Sequence, residues 1–152
     1  MAAGSAAAPR ALTAARGQET AVPLPAVARA VLVWLLLMLA ESAQGALRRA
    51  LLGPEVERFV RQFSVLTGVL VIFAITWLLR RWLRPPSVAA ALGVGALWVA
   101  MTVVFEVALG RMLGLGWRDI AADYNLARGG LMPLGLLAMG LTPWAVSALS
   151  AR

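Results

Sequence analysis

Apolar residues run along this chain in long blocks, broken by tight groups of arginine, glycine and proline. The first block, Ala30 to Ala40, reads AVLVWLLLMLA, and it lengthens to Leu47 once a single carboxylate, Glu41, is accepted inside it. A second block, Gln62 to Leu79, carries no charge, and a third, Ser87 to Leu109, carries only Glu106. The last, Gly129 to Ala151, is again uncharged. A helix crosses the hydrocarbon core with about 20 apolar residues. The pattern therefore predicts an all-α integral membrane protein with four transmembrane helices, at about 28–49, 62–82, 87–109 and 130–149, running up-down-up-down. Residues 1–25 form a flexible N-terminal tail, and residues 26–152 form the transmembrane domain.

The breaks between blocks have their own logic. Gly53 followed by Pro54 reads as a helix stop and a helix start, with Glu55 and Glu57 favourable in the first turn. Val56, Phe59, Val60 and Phe63 then fall on one helical stripe opposite Arg58, Arg61 and Gln62, so the second helix begins at the interface. Arg80, Arg81 and Arg84 with Pro85 and Pro86 make a basic turn, flanked by Trp77 and Trp82 at headgroup level. The third helix starts near Ser87. Between Gly114 and Arg128 a glycine turn leads into a second interfacial helix with Trp117, Ile120, Ala121 and Tyr124 at helical spacing. Pro133 opens the last span, and Pro143 is expected to kink it. Ala89, Gly93, Ala96 and Ala100, and also Gly135, Ala138, Thr142 and Ala145, form small-residue faces that admit a neighbouring backbone.

A cleavable signal peptide within residues 1–45 is the competing reading of the first block, given its basic start and the small residues Ser42 to Ala46. Arg48 and Arg49 directly after the cut would oppose translocation.

Composition narrows the chemistry. The chain is 61% hydrophobic and 14% charged, whereas soluble domains hold roughly 45–50% and about 25%. It has no cysteine and no histidine, which excludes disulfides, thiolate and imidazole metal sites, and histidine-dependent nucleophile systems. All 14 basic residues are arginines. The net charge of +7 sits at the ends of apolar blocks rather than in one stripe, so anionic lipid headgroups, and not nucleic acid, are the expected partners. No cofactor is implied. Asp119 and Asp123, one turn apart, fit solvated acids better than a metal site. Gly93-x-Gly95 and Gly114-x-Gly116 lack the third glycine and preceding strand of a nucleotide loop.

The two halves resemble each other. Trp34, Glu41, Gly45 and Arg48 have rough counterparts in Trp98, Glu106, Gly110 and Arg111, which suggests a 2+2 parallel repeat with short interfacial helices. An up-down-up-down path also gathers the polar residues at one end: Glu41, Gln44, Arg48, Arg61, Ser64, Thr67, Thr102, Glu106, Arg111, Tyr124, Asn125 and Arg128. Glu41, Gln44 and Arg48 share one face at i, i+3 and i+7. The arginines divide evenly between the two sides, but the compact triplet Arg80 to Arg84 favours both termini in the cytoplasm.

A carboxylate at bilayer depth costs about 2.5 to 3.5 kcal/mol unless it is paired, protonated or wet. Glu41 and Glu106 therefore carry the functional question. The plainer reading is that their polar contacts fix helix assembly, making the chain a structural or accessory membrane subunit. The sharper one is a proton- or cation-coupled small transporter or channel using one or both of them. An enzyme acting on lipid would need the two acids to converge with one protonated, which their spacing does not require, so no catalytic residue is assigned. The small-residue faces allow a homo-oligomer or a larger membrane complex.

Glu41-Ser-Ala-Gln-Gly45-Ala-Leu-Arg48, Arg61-Gln-Phe-Ser-Val-Leu-Thr-Gly68, Phe105-Glu106 with Gly110-Arg111, and Asp123-Tyr-Asn-Leu-Ala-Arg-Gly129 resemble a group of small, uncharacterised four-span bacterial membrane proteins. The resemblance covers about Val31 to Trp144. It implies a four-helix inner-membrane fold and supplies no activity.

Overall fold

The computed structural model describes residues 25–51 and 54–150, with the backbone alone for Arg49, residues 54–64 and Arg128. The regular structure among them is entirely helical. It comprises α1 (Ala26–Leu51), α2 (Pro54–Leu78), α3 (Arg80–Leu83), α4 (Val88–Met112), α5 (Trp117–Ala122), a 3-10 turn (Leu126–Arg128) and α6 (Met132–Ser150). The expected tail lies outside the described residues apart from Pro25, and so do Gly53 and the side chains of the Val56 to Phe63 stripe.

Three helices are long and apolar enough to cross a membrane: Ala26–Arg48 in α1, Val88–Met112 in α4 and Met132–Ser150 in α6. In α2 the apolar stretch with described side chains, Val65–Leu78, is shorter. Each of the three long segments buries only 22% of its most apolar window inside the protein. Leu39, Leu66, Val104 and Leu137 are each more than 60% exposed. A water-soluble chain would not leave so large an apolar surface open, so this is a membrane protein whose outer surface is built for lipid.

What is buried lies on narrow stripes. Ala30, Val33, Trp34 and Leu37 form the inner face of α1, and Ile72 and Thr76 lie on that of α2. Ala91, Gly95, Trp98 and Thr102 form that of α4, and Met139, Thr142, Pro143 and Val146 that of α6. The recurrence at three and four residues is that of one helical face turned to its neighbours. α4 lies most extensively against α6, α6 against α2, α2 against α1, and α1 against α4. Two indole N–H groups cross the α1–α4 seam: Trp34 Nε1 donates to Thr102 Oγ1 at 2.9 Å and Trp98 Nε1 to the Ala30 carbonyl at 2.8 Å. Both bonds link residues 68 apart, in the same sense, so α1 and α4 run side by side in the same direction.

The α4 and α6 backbones approach closely at Gly95 and Gly140, but not on the stripe expected for α4. A methyl group at Gly95 would collide with the Gly140 carbonyl oxygen, whereas one at Gly93 or Gly135 would meet nothing within 4 Å. Ala89, Gly93, Ala96 and Ala100 all face outward. The small residues are there, but the crossing uses the neighbouring stripe, the one that also carries Trp98 and Thr102.

Turns follow their chemistry. Ser87 caps α4 by accepting from Ala90 N at 3.1 Å. The basic turn is α3, and it ends at Arg84 in the left-handed region (φ 34°) before Pro85. Arg29 reaches across from α1 to donate to the Trp82 carbonyl at 2.9 Å, supplying an orphan acceptor at the end of α3. Arg80 lies over the Trp77 ring, 4.5 Å from its centroid. Gly114, at φ +80°, makes the expected glycine turn. The helix that follows, α5, is shorter than its spacing suggests: it stops at Ala122, leaving Tyr124 in a turn. There the chain returns, and Gly130 passes so close to the Ala122 and Asp123 carbonyls that no side chain fits. Pro143 sits buried inside α6.

Candidate functional site

The polar residues expected to form a single cluster resolve into two groups and a buried node. The first group lies between α1 and α2. Because Glu41 continues the Ala30, Val33/Trp34, Leu37 stripe by one more turn, its side chain is directed at the neighbouring helix. Its carboxylate rests on Gly68, where an added Cβ would sit 2.9 Å from Oε2. One turn on, Gln44 Nε2 donates to Thr67 Oγ1 at 2.6 Å. Arg48 follows on the same face, half-buried. Glu41 Oε1 and Gln44 Oε1 are shielded from solvent and have no hydrogen-bond partner among the described residues.

The second group lies where α4 gives way to α5. The Tyr124 hydroxyl is shielded and has no hydrogen-bond partner among the described residues. Its ionisation is pushed above the ordinary tyrosine range by burial first, then by the negative charges of Glu106 and Asp123 beside it. Glu106 itself is exposed. Arg111 is not directed at these acids. Its guanidinium donates to the Leu115 carbonyl at 2.9 Å and lies 5.1 Å from the centroid of the Trp117 ring. Asp119 is likewise engaged, accepting from Gly116 N at 3.1 Å at the start of α5. Asn125 accepts from Ala127 N at 3.1 Å and so shapes the 3-10 turn. Ile120 anchors α5 by covering Gly110, whose missing side chain leaves it room.

Thr102 belongs to neither group. It is buried, accepts from Trp34 on α1, and approaches Met139 Sδ on α6 at 3.3 Å, so one hydroxyl joins three helices. The side chains of Arg61, Ser64 and Arg128 lie outside the described residues. Among those described, no three acidic side chains converge as metal ligands.

Gly68 is a site residue that sequence reasoning did not single out, whereas Gly95 was read with Gly93 as a helix-packing pair rather than a nucleotide loop. The signal for Gly68 was present, since a glycine inside an apolar run marks a close approach. No protein family, curated protein or solved structure matches this chain.

Proposed function

We propose that this chain is a four-span, up-down-up-down protein of the bacterial cytoplasmic membrane, with both termini inside, that serves as a structural or accessory subunit. The observation that carries this reading is the filled middle of the molecule. Trp98, Leu37 and Val33 are almost wholly buried there, and the Trp34 and Trp98 indole N–H groups end on partners. Thr142 returns its hydroxyl to its own helix, to the Ala138 carbonyl. Passage of a proton or cation through that level is served by water, carbonyl or charged groups lining it. The described residues there offer a locked seam instead.

The parallel course of α1 and α4 supports the up-down-up order, and α2, a 25-residue helix, is long enough at about 1.5 Å per residue to complete the fourth crossing. The basic turn at Arg80 to Arg84 supports its own placement in the cytoplasm. The resemblance to small four-span bacterial proteins points the same way. The lipid-facing small residues on α4 suit a partner helix in a larger complex.

The second reading, proton- or cation-coupled transport, is favoured by one observation: the Glu41 carboxylate, seated on Gly68, has a shielded oxygen with no hydrogen-bond partner among the described residues. The two readings separate in reconstituted vesicles. An accessory subunit gives no proton or cation flux above empty vesicles, and Glu41→Gln and Glu106→Gln lower yield or lose a co-purifying partner. Flux that Glu41→Gln abolishes while the protein melts normally would replace this reading by transport.

A further inference from the structure

We infer that the cleft between α4 and α6 seats one chain of an amine-headed phospholipid, with the ammonium held at Tyr124. The inference rests on the bilayer placement of α4 and α6. An open groove of about 490 Å³ runs between these helices. Ala96 and Gly140 are its small lining residues, Leu92, Leu136 and Leu141 are among its larger apolar ones, and Tyr124 is its one polar lining residue. That volume is the size of a small-molecule seat.

The polar end selects the headgroup. Arg111 is committed to the Leu115 carbonyl and the Trp117 ring, and Asp119 to the α5 cap. Among the described residues, the charges acting on the Tyr124 hydroxyl are the carboxylates of Glu106 and Asp123. An acidic headgroup would be repelled there. A primary ammonium is attracted, and its N–H can donate to the Tyr124 oxygen, which has no hydrogen-bond partner among the described residues. A quaternary ammonium keeps the charge but has no proton to donate.

The test is native mass spectrometry of detergent-purified full-length protein given equal amounts of phosphatidylethanolamine, phosphatidylcholine and phosphatidylglycerol with identical acyl chains. The ethanolamine lipid should be retained over the glycerol lipid by roughly fivefold per charge contact, and over the choline lipid by a smaller factor. Ala96→Leu, which fills the groove from an outward-facing position, should abolish retention of all three. Asp123→Asn should narrow the preference over the glycerol lipid, and Tyr124→Phe the preference over the choline lipid. Each variant is first checked for an unchanged helical melt. Equal retention of the three lipids, or undiminished retention by folded Ala96→Leu, overturns the inference. A chain that stays soluble without detergent fails the membrane reading instead, before any lipid is added.

Discussion

A single hydroxyl, that of Thr102, holds more of the packing together than any charged group described. It accepts from Trp34 and meets Met139, so Thr102→Val keeps the shape and leaves a buried indole N–H without an acceptor. The expected cost is about 1–3 kcal/mol, read as a lower melting temperature in detergent, and an unchanged melt would remove Thr102 from this role. The glycines give a sharper contrast. Gly95→Ala forces a methyl group into the Gly140 carbonyl and should destabilise by about 1–3 kcal/mol. Gly93→Ala meets open space and should be neutral or stabilising by up to about 1 kcal/mol. Reversal of that order would mean that α4 is turned differently about its axis. The sequence alone could not choose between them. On a helix apolar all round, the small stripe at Ala89, Gly93, Ala96 and Ala100 has no polarity contrast with the stripe at Ala91 and Gly95. Where contrast existed, as for Glu41, Gln44 and Arg48 among leucines, the shared face was readable.

At the scale of elements, the long apolar helices were legible because lipid imposes length and composition on them, and Ser87 and Gly114 marked two boundaries by their capping and turn chemistry. The short helix α5 was not. Its apolar spacing through Tyr124 is helical, but it ends at Ala122, where the returning chain packs Gly130 against the Ala122 and Asp123 carbonyls, a contact that no local pattern encodes. The turn it leaves behind makes a clean prediction, because Tyr124 is the one tyrosine in the chain. Phenolate absorbance in a pH titration should give a midpoint above the ordinary value near 10. Burial and the neighbouring carboxylates both disfavour the anion, so the folded hydroxyl is the weaker acid. Its contribution to stability is complete below the unfolded value and is lost as pH rises through the folded one. Asp123→Asn should lower the midpoint part of the way, burial remaining. A midpoint at or below 10 in the folded protein would place Tyr124 in water, away from Glu106 and Asp123.

For the molecule as a whole, the expectation of one polar rim was half legible. Helix rotation directs Glu41 at α2, Glu106 toward the Tyr124 turn and Thr102 into the core, and rotation depends on partners distant in sequence. What all of this depends on is that the exposed leucines face hydrocarbon. With no native cysteine, single nitroxide labels can be placed directly at Leu39, Val104 and Leu137 in reconstituted vesicles. Collision rates should be high with oxygen and low with a water-soluble nickel chelate at all three positions. High nickel accessibility at them, or a chain that remains dissolved without vesicles or detergent, would contradict it.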